Sequence, residues 1–132
     1  MSEQNVELVR EMIGWFNTED VEAAQAHSTH DVEIVPLRAA LEDTSYRGPQ
    51  AFASFLADNQ EAWEELQFDP EAIRDVGVRV VAIGNVSARA RGTGAPVTAR
   101  VAMLFEFRDD QFSRLQTYAE VDDALEAAGL SE

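Results

Sequence analysis

Two hydrophobic periods divide the chain into a helical first half and a strand-rich second half. In the first half, apolar residues recur at spacings of three and four, as expected of an amphipathic helix that packs one face against a core. The first such stripe comprises Val6, Val9, Ile13 and Phe16, broadened by Leu8, Met12 and Trp15. Asn17-Thr18 ends this helix, and Thr18 can cap a second, short helix that runs to His27.

A short strand and a further helix complete the first half. The pattern over residues 32–37 predicts the strand, and Gly48-Pro49 predicts the helix start because proline suits the first helical position. The apolar face of this helix is predicted to contain Phe52, Phe55, Leu56, Trp63 and Leu66. Three aromatic residues on one face require a large apolar partner.

From Gln67 onward the apolar residues alternate with polar ones, which is typical of strands. The glycine-containing breaks separate four predicted strands, near residues 72–76, 78–91, 96–108 and 111–120. In the third of these, Val101, Met103, Phe105 and Phe107 share one face, while Arg100, Ala102, Leu104 and Glu106 share the other. Both faces are partly apolar. This predicts a sheet that covers helices on one side and meets a second subunit on the other, in a homodimer.

The end of the chain carries the strongest candidate for chemistry. The last strand finishes at Tyr118-Ala119-Glu120, and a short helix over residues 121–128 follows it and stops at Gly129. Side chains two residues apart lie on the same face of a strand, so Tyr118 and Glu120 place a phenol and a carboxylate side by side.

Composition narrows the class of protein. With 132 residues, 45% of them hydrophobic, and no long linker, the chain fits one domain over residues 1–132. The net charge of −15 disfavours nucleic acid and anionic membrane surfaces as partners. The absence of cysteine excludes disulfides and thiolate chemistry. Neither a signal peptide nor a run of about 20 apolar residues is present, so we expect a cytoplasmic protein.

Taken together, the order of elements resembles a known family. Tyr46-Arg47-Gly48-Pro49 opening a helix, three long strands, and Tyr118-x-Glu120 before a last helix are similar to the nuclear transport factor two-like superfamily, and within it to the SnoaL-like, polyketide cyclase-like branch. The resemblance implies an α+β cone, in which a curved antiparallel sheet wraps a long helix and leaves an apolar pocket at its open end. Two N-terminal helices and a short C-terminal helix complete the expected fold.

The resemblance also implies activities, which depend on particular residues. SnoaL-like cyclases carry an Asp acid/base two residues after the strand Tyr, where this chain has Glu120. Steroid isomerase relatives place a catalytic Asp before a proline at the end of the first strand, whereas Val35 precedes Pro36 here. Epoxide hydrolase relatives use an Arg-x-Asp pair, which Arg100-Val101-Ala102 lacks.

Two functions are therefore compatible with the sequence. The first is a cofactor-independent cyclase or isomerase, with Glu120 as base and with Tyr118 and Arg100 stabilising an enolate oxygen. Its small apolar ligand would contact Trp15, Phe52, Phe55, Trp63 and Met103. The second is a binding or dimeric interaction module, in which Glu120 caps the last helix, Tyr118 is a packed aromatic and Arg100 pairs with an acid.

A metal site is the remaining candidate for chemistry. His27 and His30 are three residues apart and near Asp31, but His27 lies at a predicted helix end and His30 in a loop. A third well-placed ligand is missing from this pattern. The sequence therefore predicts neither a metal nor a cofactor.

Overall fold

The computed structural model describes residues 2–37 and 45–129 and has a mixed α+β fold, as predicted. Its helices and strands, in chain order, are α1 Ser2–Thr18, α2 Val21–Ala26, β1 Ser28–Val35, β2 Tyr46–Arg47, α3 Ala51–Ala62, β3 Trp63–Asp75, β4 Arg79–Ala90, β5 Pro96–Arg108, β6 Gln111–Tyr118 and α4 Val121–Ala127. None of the helices in these two ranges is long and apolar enough to cross a membrane.

The strands form one curved six-stranded sheet in the order β2-β1-β6-β5-β4-β3. Strands β3 to β6 are joined in succession as antiparallel neighbours. Asp109 and Asp110 connect β5 to β6 with positive φ at both residues, the backbone of a type I′ hairpin turn. The sequence analysis had predicted an antiparallel sheet. One pair of strands differs from this prediction, because β1 lies parallel to β6.

The helix that follows Gly48-Pro49 is shorter than predicted. It ends at Ala62, and both Trp63 and Leu66 belong to β3 instead. Trp63 pairs with Ala90 of β4. The sheet therefore begins at a residue where the sequence still shows the apolar spacing of a helix. The longest helix is therefore α1, which packs against β3 and β4.

The concave face of the sheet and the first three helices enclose the main core. Val9, Met12 and Ile13 of α1 are buried there, as the first hydrophobic stripe predicts. The sheet contributes inward side chains from its central strands, including Val80, Val101, Phe105 and Phe112.

A second, smaller core lies on the outer face of the sheet. Helix α4 supplies Ala124, Leu125 and Ala128, which pack with Val81, Ile83, Ala102 and Leu104. Ala102 and Leu104 are 0% and 2% exposed within one chain, so a partner subunit is not needed to cover them. The homodimer stays a prediction. The apolar outer face that motivated it is covered by α4 of the same chain.

Candidate ligand-binding pocket

A pocket lies between helices α1, α2 and α3 and the concave face of the sheet. Its cavity volume is about 50 Å³, within about 690 Å³ of space between atoms that includes open solvent. Its apolar lining consists of Met12, Ile13, Trp15, Phe16, Val21, Ala24, Ile34, Phe52, Phe55, Leu56, Phe68, Met103, Phe105 and Leu115. Four polar residues complete the lining: Glu19, Asp20, Asn59 and Thr117.

Local sequence explains why apolar groups meet here. The stripe of α1 faces the sheet, and the alternation in β5 turns Met103 and Phe105 towards the same side. Helix α3 adds Phe55, whose ring lies 6.3 Å from that of Phe16 and 5.6 Å from that of Tyr46, measured between centroids. The aromatic rings therefore form one connected wall.

The acidic lining residues lie at the mouth of the pocket and are exposed. Asp20 caps α2, its carboxylate accepting a hydrogen bond from the Ala23 N–H at 3.1 Å. Glu19 has a left-handed backbone with φ of 63°, and its carboxylate accepts a hydrogen bond from Gln60 Nε2 at 3.4 Å. Asn59 and Thr117 are half-buried. Of the four polar lining residues, only the two acidic ones are exposed rather than half-buried.

A polar groove adjoins the pocket and shares part of its lining. Phe16, Glu19, Leu56 and Asn59 line both spaces. The groove then continues over Gln60, Trp63, Glu64, Glu65, Leu66 and Arg91. A molecule seated in the pocket could therefore extend a polar end into the groove.

Comparison with known proteins assigns the family. The profile of the SnoaL-like domain family matches residues 9–115, which is most of the chain and includes both the helices and the strands that form the pocket. The chain belongs to the SnoaL-like domain family. A search of curated proteins finds no match.

Solved structures share the fold of this SnoaL-like domain. An NTF2-like protein of unknown function from Burkholderia pseudomallei is 18% identical with a TM-score of 0.80, covering 96% of this chain and 97% of its own. A hypothetical protein with a ketosteroid isomerase-like fold from Catenulispora acidiphila, in complex with trimethylamine, is 16% identical with a TM-score of 0.76, covering 95% of this chain and 94% of its own. A candidate polyketide cyclase from Xanthomonas campestris is 23% identical with a TM-score of 0.74, covering 96% and 98%. At these identities the likeness shows the fold.

Four of the five residues predicted to contact a ligand lie in the pocket lining of the SnoaL-like domain. These are Trp15, Phe52, Phe55 and Met103. The fifth, Trp63, lines the adjoining groove because it belongs to β3 and not to α3. Ligand binding by these residues stays a prediction.

Tyr118 and Glu120 do not lie where the sequence analysis expected them. Tyr118 is paired with Ala102 of the neighbouring strand β5. Its ring packs against the outer core beneath α4, on the side of the sheet away from the pocket. Glu120 is exposed, precedes α4, and makes no side-chain hydrogen bond to the start of that helix. The prediction that this pair shares a strand face towards the pocket is wrong, because β6 ends at Tyr118, whose ring lies on the outer face, and Glu120 lies in the bend before α4.

Arg100 is also remote from the pocket. Its guanidinium forms an ion pair with the Glu71 carboxylate, which also accepts a hydrogen bond from Asn85 Nδ2 at 2.8 Å. These two donors, Arg100 first, lower the pKa of Glu71. Arg100 therefore pairs with an acid, as the second of the two functions had supposed.

The surroundings of the two histidines differ from those of a metal site. His27 Nδ1 lies 2.9 Å from the Ala23 carbonyl oxygen, and the imidazole stacks on Trp15 with centroids 4.7 Å apart. His30 is exposed on β1. Across residues 2–37 and 45–129, no three His, Cys, Asp or Glu side chains are grouped to hold a metal.

Several lining residues were not singled out from the sequence. Phe68, Leu115 and Thr117 come from β3 and β6, and Glu19 from the turn between α1 and α2. Strand alternation could have indicated Leu115 and Thr117 once the inner face of β6 was known. Glu19 gives no such signal, since a turn has no period.

Proposed function

We propose that this SnoaL-like domain binds a small, largely apolar molecule in the pocket between α1, α2, α3 and the sheet. One observation carries the proposal: fourteen of the eighteen lining residues are apolar, and the two carboxylates in the lining are exposed at the mouth. Apolar walls with a few polar groups at one end are typical of small-molecule sites.

The positions of the candidate catalytic residues support binding over catalysis. A general base must reach the proton that it removes, directly or through one water molecule. Tyr118 is packed beneath α4, Arg100 is paired with Glu71, and Glu120 is exposed before α4. None of these three residues is in the pocket lining.

The test is a fluorescence titration with N-phenylnaphthylamine, a neutral apolar probe that brightens in apolar surroundings. We expect saturable binding to the native protein. The variant Leu56→Trp places a bulky ring where the pocket and groove meet, so we expect it to weaken binding by at least about tenfold, which corresponds to about 1.4 kcal/mol.

The matched control is Val78→Trp, which adds the same ring at a side chain that is 68% exposed and outside the pocket lining. It should bind the probe like the native protein. Absence of saturable binding, or equal weakening by both variants, would contradict the proposal. The variant Glu120→Gln should also bind like the native protein.

A further inference from the structure

The shared boundary of the pocket and groove points to the chemistry of the ligand's polar end. Glu19 lines both spaces, and so do the apolar side chains Phe16 and Leu56. A molecule with its apolar part in the pocket therefore brings its other end beside the Glu19 carboxylate.

The charges along the groove differ in whether they are already paired. Glu64 is bridged to Arg91 at 3.1 Å, and Glu65 to Arg89 at 3.2 Å. Within the part of the chain that the structure describes, Glu19 has no arginine within ion-pairing distance, and its hydrogen bond comes from the neutral amide of Gln60. Glu19 is thus the groove carboxylate that remains available for a cation.

The arginine in the groove lining is committed to the protein itself. Arg91 donates from Nε to the Gln60 carbonyl oxygen at 2.6 Å and from Nη2 to the Trp63 carbonyl oxygen at 3.2 Å, in addition to its pair with Glu64. These bonds hold the guanidinium at the C-terminal end of α3, where a positive charge is favourable. An anionic group on a ligand would have to compete for it.

We propose that the ligand is a cationic amphiphile: an apolar body in the pocket and a protonated amine beside Glu19. This deepens the function proposed above and rests on it. The net charge of −15 acts in the same direction, since it attracts a cation and repels a carboxylate. Phe16 and Trp63 add aromatic rings beside the path of the amine.

Three probes with one apolar chain and different ends test the inference: octylamine, octanol and octanoate. We would measure their affinities by isothermal titration calorimetry at neutral pH and low salt. Octylamine should bind about two- to fivefold more tightly than octanol, as expected for an exposed charge pair, and octanoate should bind most weakly. Added salt should reduce the difference between octylamine and octanol.

The variant Glu19→Gln should reduce the preference for octylamine over octanol and leave the affinity for octanol unchanged. Its control is Glu22→Gln, the same change in charge at an exposed residue of α2 outside both linings; it should keep the preference. If octanol binds but octylamine is not favoured, or if both variants behave alike, the cationic ligand is wrong while the apolar pocket stands. If octanol itself does not bind, the proposed function fails.

Discussion

The side-chain amide of Asn17 exchanges two hydrogen bonds with the backbone of Phe68. Asn17 Nδ2 donates to the Phe68 carbonyl oxygen at 2.9 Å, and the Phe68 N–H donates to Asn17 Oδ1 at 2.8 Å. Because β3 is an edge strand, the N–H and C=O of Phe68 have no strand partner on the outer side. The last turn of α1 thus takes the place of a further strand and positions a buried aromatic of the pocket wall.

Replacing this amide should weaken the attachment of α1 to β3. We expect Asn17→Ala to lower the free energy of unfolding by about 1–3 kcal/mol, because a part-buried donor and acceptor both lose their partner. Urea unfolding measures the change. Asn5→Ala, which removes one exposed hydrogen bond of 3.3 Å to the Gly77 carbonyl oxygen, should have a smaller effect. Equal losses of unfolding free energy in the two variants would mean that the Asn17 hydrogen bonds stabilise the protein no more than an exposed one does.

Gly84 should tolerate no side chain. A Cβ atom there would lie 2.2 Å from the Asp69 carbonyl oxygen and 2.7 Å from Pro70 Cα, both in the backbone of β3 where its register shifts. We expect Gly84→Ala to destabilise the protein by at least about 1–3 kcal/mol, since backbone must move.

The same substitution in α1 is the control. A Cβ at Gly14 would meet nothing within 4 Å, so Gly14→Ala should stabilise the protein by roughly 0.5–1 kcal/mol through helix propensity. Thermal unfolding of both variants compares the two signs. A stable Gly84→Ala protein would show that β3 and β4 are farther apart than described.

Two phenylalanines of α3 should differ in their contribution to stability. Phe52 is 7% exposed within the core, whereas Phe55 is half-buried in the pocket wall. We expect Phe52→Ala to cost about 3–5 kcal/mol of unfolding free energy and Phe55→Ala clearly less. Chemical denaturation tests this order. A larger loss of stability for Phe55→Ala than for Phe52→Ala would show that the more buried face of α3 is the one that carries Phe55.

The ion pairs of the outer sheet face should make stability depend on pH. Burial between strands raises the pKa of Glu33, but the hydrogen bonds from Arg47 and Arg114 outweigh it and hold the pKa below its usual range. Arg47 and Arg114 lie 3.0 Å and 3.2 Å from the Glu33 carboxylate. As the pH falls, the unfolded chain takes up this proton first, so stability is present above the ordinary glutamate pKa of about 4.3 and is lost below it.

The variant Glu33→Gln should therefore be less stable than the native protein at neutral pH, by up to about 1 kcal/mol. This difference should disappear as the pH falls below about 4. Unfolding free energies measured across this range provide the test. Glu7→Gln, at an exposed residue of α1, should not reproduce the effect. A constant difference at all pH values would exclude ionisation of Glu33 as its origin.

Local periodicity was sufficient to predict those helices and strands in which contacts with the rest of the protein favour the same conformation. Strand β5 spans Pro96–Arg108, as predicted, and the buried residues of α1 fall in its predicted stripe. The end of α3 was not predictable in this way. Trp63 and Leu66 keep the helical spacing, but pairing of β3 with β4 decides their conformation, and Glu65 adopts a positive φ of 56° beside the shift in register.

The sequence by itself determined the α+β fold and the family, because hydrophobic periods and glycine breaks are local properties. It also indicated Trp15, Phe52 and Phe55, three of the aromatic side chains in the pocket lining. Only the tertiary structure decided where the site's polar groups lie. Alternation predicted a shared strand face for Tyr118 and Glu120, but it could show neither that β6 ends at Tyr118 nor which face meets the helices. That depends on α4 covering the outer face, a contact between residues distant in sequence. The same folding brought Glu19, which lies in a turn, to the mouth of the pocket.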